Sequence, residues 1–197
     1  MIEVDDISPF LDLSKKLTEH DYTKLKKFTK VRRLRPGEVY IAAGSSQQRI
    51  ALISNGILRA YLLEPSGDEI TIMLRCENQI VASIDSILLN KPSRFYYEAI
   101  EHVILIELDY QRAMSFIESN NRLFALRHQV LLGLLLQTTD RLEDFMLLKP
   151  QERYIRLITQ RPYIANRVPD KYLSTMLGIT PVSLSRIKKR LKNKLTD

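Results

Sequence analysis

Val168–Leu191 reads VPDKYLSTMLGITPVSLSRIKKRL, and its reading decides the fold. Pro169 sets a helix start, and Leu173, Met176 and Leu177 give that helix an apolar face. Gly178 follows the last apolar pair, where a glycine can adopt the left-handed conformation that stops a helix. Ile179 pins the turn. Thr180 is a good N-cap and Pro181 suits the first helical position, so a second helix is expected from Pro181 to about Asn193. Leu184, Ile187, Leu191 and Leu195 share one face of it, and Val182, Ser185, Arg186 and Lys189 another. Two helices, a glycine turn and a basic face in this order match the helix-turn-helix, whose second helix enters a DNA major groove. Arg186 can bond a guanine through two parallel N–H groups, and Val182 can touch a thymine methyl. Ser183 and Ser185 suit bases or phosphates, with Thr180 at the helix start. Lys188, Lys189, Arg190, Lys192 and Lys194 supply sequence-blind attraction.

Charge agrees with this placement. Of the whole chain's +7, residues 149–197 hold 12 Lys and Arg against 3 Asp and Glu, while residues 1–148 are close to neutral with 18 against 20. A neutral body with a basic end suggests a polyanion partner at that end.

Upstream, Lys149-Pro150 breaks a long expected helix and forms a hinge. That helix runs from Asn120 to about Leu148, with Leu131, Leu134, Thr138, Leu142 and Phe145 on one stripe and Val130 and Leu135 widening it. Its length, on the order of 40 Å at 1.5 Å per residue, exceeds what one small domain covers, so a homodimer seam is expected. A shorter helix is expected over Asp109–Glu118.

Between Val31 and Leu108 short apolar runs alternate with turns. Pro36-Gly37 marks one turn. Asn55-Gly56 between Ile50–Ile53 and Ile57–Leu63 predicts a hairpin, and Pro65-Ser66-Gly67-Asp68 another turn before Glu69–Leu74. Tyr96–Leu108 reads as strand, and Val81–Leu89 as a short helix. A sandwich or small barrel follows. Residues 8–30 read as helical, through Leu13, Leu17, Tyr22, Leu25 and Phe28.

Several chemistries are disfavoured. Cys76 is the single cysteine, so neither an internal disulfide nor an iron–sulfur cluster can be built by one chain. His20, His102 and His128 are dispersed and read as ordinary surface or packing residues. A cupin-type enzyme needs clustered ligands on strands, and only His102 falls in the β region. No catalysis, metal or cofactor is expected. The longest apolar run, Val130–Leu136, is far shorter than a membrane span, and the acidic N-terminus lacks a signal pattern, so a cytoplasmic protein is expected.

The segment Gly178-Ile179-Thr180-Pro181-Val182-Ser183-Leu184-Ser185-Arg186-Ile187 resembles the recognition helix of the Crp-Fnr regulators, and the order of elements resembles that family over nearly the whole chain. The resemblance implies an α+β architecture. Residues 1–118 would form a cyclic-nucleotide-binding-like β jelly roll, residues 119–148 a dimerisation helix, and residues 149–197 a winged helix-turn-helix. It also implies a homodimer on a roughly palindromic double-stranded DNA operator, with RNA polymerase as a further partner. Ser185-Arg186 match the family's base-reading pair and Ser183 its phosphate contact. Val182 stands where many members carry a base-reading glutamate, which changes the operator, because valine cannot accept from cytosine. The chain ends soon after this helix, so the wing is short or absent.

The family's nucleotide binders hold the cyclic phosphate with Gly-Glu and Arg-Ser pairs. Here Asn78-Gln79 lie near the first pair, and Ser93-Arg94 replace the second in reversed order. The reading is therefore against cyclic AMP. A different small effector among Asn78, Gln79, Ile80, Val81, Ala82, Ser83, Ser93 and Arg94, or a pocket filled by the chain's own side chains, stays open. A module of this type acting on a protein partner without DNA is the alternative function, and it leaves Val168–Leu191 without a purpose.

Overall fold

A computed structural model describes residues 18–194. Leu13, Leu17 and Leu195, with the side chain of Tyr22, lie outside the described residues. Among the described residues the first helix, α1, spans Glu19–Leu25, and a short tight turn of helix over Lys26–Phe28 leads into the sheets. Strand character therefore begins at Thr29, before the expected change at Val31. Phe28 is held there by stacking on Phe116, ring centroids 6.1 Å apart.

Eight strands follow: β1 Thr29–Leu34, β2 Val39–Ile41, β3 Arg49–Asn55, β4 Leu58–Leu63, β5 Glu69–Arg75, β6 Ile80–Ala82, β7 Tyr96–Ala99 and β8 Val103–Asp109. They form two antiparallel four-stranded sheets, ordered β1-β8-β3-β6 and β2-β7-β4-β5. Consecutive strands alternate between sheets except at β4–β5, which is the order of a jelly roll. Alternation along the strands supplies the core. In β8, Val103 and Leu105 point inward against Ile53 of β3, Leu58 and Ala60 of β4, and Tyr97 and Ala99 of β7.

Three sequence expectations are corrected here. Asn55-Gly56 does not close a hairpin: β3 pairs with β8 and β6, and β4 with β7 and β5, so this turn carries the chain from one sheet to the other. The Tyr96–Leu108 run is two strands in different sheets, split at Ile100–His102. Val81–Leu89 is strand through Ala82 and helix only from Ile84 to Leu88 (α2), because Ser83 caps that helix through the Ser86 amide at 3.4 Å. The Pro65–Asp68 turn does close a hairpin, between β4 and β5.

The rest of the described residues form helices and their short connections: α3 Tyr110–Glu118, α4 Asn121–Leu147, α5 Pro150–Gln160, α6 Pro162–Arg167, α7 Asp170–Met176 and α8 Pro181–Lys194. Asp109 caps α3 through the Arg112 amide, and Asn120 caps α4 through the amides of Arg122 and Leu123. Lys149-Pro150 separates α4 from α5, as its sequence requires. Among the described residues no strand follows β8.

The helices after α4 dock on the roll. Ile57, Leu74 and Cys76 share a second apolar core with Tyr154, Ile164, Leu173, Met176, Leu184 and Ile187. Arg59, buried on β4, lies between the rings of Tyr61 and Tyr172, 3.9 and 3.8 Å from their centroids, and its Nη2 donates to Glu69 and Glu98. The Thr71 amide donates to Thr175 Oγ1 at 3.2 Å, and Arg141 of α4 bridges the Ile72 and Met176 carbonyls. At the far side Arg167 of α6 pairs with Glu77 and Glu101.

Candidate nucleic-acid interface and ligand cavity

The two terminal helices are organised as their sequence predicts. Leu177 ends α7, and Gly178 takes φ +67°, a conformation an L side chain resists. A Cβ there would meet the Phe145 ring at 2.9 Å, so this glycine serves both the turn and the contact with α4. Thr180 caps α8: its Oγ1 accepts from the Ser183 amide at 3.2 Å and pairs with Ser183 Oγ at 3.0 Å. Leu184 and Ile187 are buried. Val182, Ser185, Arg186, Lys189 and Arg190 are exposed, and Val182 keeps 61% of its surface.

The face expected to meet DNA is thus presented outward as a set. Lys188 is placed differently. It pairs with Asp170 at the start of α7 and lies 5.9 Å from the Tyr154 ring centroid, tying α8 to its neighbours. Lys192 is exposed on the same helix.

On α4 the expected stripe divides. Leu131 and Leu134 turn toward the chain's own roll and line a cavity, while Leu135, Leu142 and Phe145 are open and Thr138 is exposed at the cavity's edge. The open face has a stricter rhythm. His128, Leu132, Leu135, Thr139, Leu142 and Met146 alternate by four and three residues, and all are exposed. That is the spacing of a two-helix seam. Leu132 and Met146 belong to this exposed rhythm and were not singled out in the sequence, where a search for strict heptads finds them.

The effector residues expected on the roll do not line one cavity together. Asn78 sits on an exposed turn at φ +64°. Buried Gln79 closes that turn by accepting from the Cys76 amide at 3.1 Å. Ser93 Oγ donates to the Phe95 carbonyl at 2.8 Å. Arg94 points to the surface and bonds Asp85 at 3.0 Å. Burial alone would raise the Asp85 carboxyl, but the Arg94 hydrogen bonds outweigh it and hold it below the usual carboxylate range. Ser83 is occupied as a cap. Only Ile80, Val81 and Ala82 of that set line the cavity.

The cavity holds about 250 Å³ between β5, β6 and α2 on one side and α3 and α4 on the other. Its walls are apolar except for a few groups, chiefly Arg75, Arg127, Tyr97, Tyr110 and Thr138. Arg75 ends β5 and is buried, with Nη1 donating to Gln137 Oε1 of α4 at 2.9 Å. Burial, and then the nearby Arg161 charge, pushes its guanidinium down to about 10, still protonated at neutral pH. Sequence reasoning missed Arg75, although an arginine closing the apolar run Ile70–Leu74 is a signal.

Among the described residues no group of three His, Cys, Asp or Glu could hold a metal, and no helix is long and apolar enough to cross a membrane.

Residues 31–120 match the family model of the cyclic nucleotide-binding domain. No curated protein sequence matches the chain. Among solved structures, the chain is similar to a mutant of CooA from Carboxydothermus hydrogenoformans at 14% identity, covering 87% of this chain and 79% of that one with a TM-score of 0.68. It is similar to the c-di-GMP responsive global regulator CLP of Xanthomonas campestris at 15% identity, over 88% and 91% of the two chains, TM-score 0.68. Likeness to the catabolite activator protein of Thermus thermophilus is 17% identity over 93% and 87%, TM-score 0.58. At these identities the likeness establishes a shared fold. The resemblance to Crp-Fnr regulators read from the sequence is borne out at that level.

Proposed function

We propose that this chain is a sequence-specific DNA-binding transcription regulator that works as a homodimer on a roughly palindromic operator. The observation that carries the reading is the outward set Val182, Ser185, Arg186 and Lys189 on a capped helix whose other face is buried. α7, the Gly178 turn and α8 act as the helix-turn-helix, with α8 in the major groove. Arg186 reads a guanine, Ser185 and Val182 read adjoining base edges, and Thr180 and Ser183 approach a phosphate at the helix start. Lys189, Arg190 and Lys192 supply general attraction. Lys188 holds Asp170 and keeps α7 and α8 in register.

Two copies pair along α4 through Leu132, Leu135, Leu142 and Met146, with Phe145 beside the seam. Three segments divide the work: a sensing roll to residue 118, the pairing helix over 119–148, and a reading head over 149–197. A small effector acting at the roll shifts the population of heads placed to bind DNA. The cavity walls support an effector other than a cyclic nucleotide. A role in contacting RNA polymerase follows only by analogy with regulators of this fold.

Binding to DNA from the gene's own upstream region tests the reading. Wild type should form a discrete complex in a gel shift. Arg186→Ala should weaken it by about 1–3 kcal/mol, or roughly 5- to 150-fold, and relax preference at one base pair. An Arg186→Ala protein with unchanged affinity and selectivity contradicts the assignment.

A further inference from the structure

The α4 cavity contains a charge imbalance that the fold itself does not resolve. Arg75 is buried, and its only hydrogen-bond partner among the described residues is a neutral amide, Gln137. Arg127 lines the same space and makes no hydrogen bond or ion pair among the described residues. No Asp or Glu is among the lining residues. A buried cation without an anion is costly, and the cost falls when an anion arrives. The remaining wall is hydrocarbon: Ile80, Val81 and Ile84 from the roll, Met114 from α3, Leu123 and Val130 from α4. Sugar hydroxyls pressed against such a surface lose water without gaining hydrogen bonds.

We infer that this cavity binds a small apolar carboxylic acid, its carboxylate held by Arg75 and Arg127 and its hydrocarbon body packed between the roll and α4. As the effector site of the proposed regulator, this inference rests on that reading. The volume of about 250 Å³ sets the size, just under the roughly 300–1,000 Å³ of ordinary small-molecule pockets. The guanidinium fork fits a carboxylate through two parallel bonds. A route outward from the site is also built. Arg75 contacts α4 through Gln137, and the adjacent Cys76 Sγ lies 3.1 Å from the Tyr163 hydroxyl of α6. An acid that draws Arg75 toward the cavity therefore pulls on the contact between roll, pairing helix and reading head.

The test is calorimetric titration of the full chain with octanoate and 3-phenylpropanoate, each against its neutral alcohol, 1-octanol and 3-phenylpropan-1-ol. At least one acid should bind once per chain, roughly tenfold or more tighter than its alcohol. Arg75→Gln should bring that acid to the level of the alcohol, and Arg127→Gln should weaken it in the same direction. Should Arg75→Gln fail to fold, the acid–alcohol comparison on wild type and the Arg127→Gln measurement still decide. If neither acid binds, or if acid and alcohol bind alike, the inference is overturned. Anisotropy of a labelled upstream DNA fragment, measured on the same preparation, separates the two claims. Lost acid binding with intact DNA binding overturns the inference alone. Acid binding without any DNA binding supports the cavity assignment and strikes the regulator reading.

Discussion

At Gly56 the chain leaves one sheet for the other with φ +94°, and its amide donates to Glu77 Oε1 at 2.8 Å. A Cβ there would lie 2.5 Å from the His102 carbonyl oxygen, a backbone atom that cannot yield. Gly56→Ala should therefore destabilise the roll by about 1–3 kcal/mol or more, read as a lower urea midpoint. An unchanged midpoint contradicts this account of the corner. The sequence showed that a turn stands here but not which sheets it joins, because Asn-Gly satisfies a hairpin and a corner equally. Residues of α8 were easier to read. Capping, burial and charge are local in a helix, so Thr180, Leu184 and Arg186 fall where their spacing puts them. Lys188 escaped that logic, since its partner Asp170 lies on another helix.

At the scale of elements, α4 presents two apolar faces. One face covers the cavity with Leu123, Val130, Leu131 and Leu134, and the opposite face exposes Leu132, Leu135, Leu142 and Met146. A helix apolar on two sides gives no single stripe, so periodicity alone merges the faces and does not separate Leu131 and Leu134, which line the cavity, from the residues left exposed. The proposed seam gives a direct expectation. Leu135→Glu places two carboxylates together in an apolar contact and should shift the protein to monomer in sedimentation at micromolar concentration. Its far-ultraviolet dichroism should stay near that of wild type, because Leu135 keeps 63% of its surface within one chain. A variant that still sediments as a dimer contradicts the seam. The polar half of the expected effector set lies outside the cavity lining. Ser93 and Arg94 precede β7 in the connecting loop, and their partners Phe95 and Asp85, which no spacing reveals, decide where they point.

At the scale of the molecule, the docking of the head on the roll was not legible, since even its hydrogen bonds join residues separated by 66 to 104 positions. Arg167 is central to it: its guanidinium pairs with Glu77 and Glu101, which raises its own pKa further. For Glu77, burial raises the carboxyl, but hydrogen bonds from Arg167 and the Gly56 amide outweigh it and leave the group below its ordinary value. A carboxyl lowered on folding stabilises the docked form above its unfolded pKa. That contribution is lost as the pH falls through the lowered folded value. Hydrogen exchange of α6 and α7 should therefore quicken selectively on acidification below about pH 4.3, the ordinary glutamate value, and Glu77→Gln should remove much of that dependence. Exchange that changes equally with and without Glu77 contradicts the assignment.

Hydroxyl-radical footprinting of the wild-type protein on its own upstream DNA tests the paired reading heads most directly. The account predicts two protected half-sites centred about one helical turn apart, roughly 34 Å, both weakened together by Arg186→Ala. Uniform cleavage at low ionic strength, or a footprint indifferent to Arg186, contradicts it.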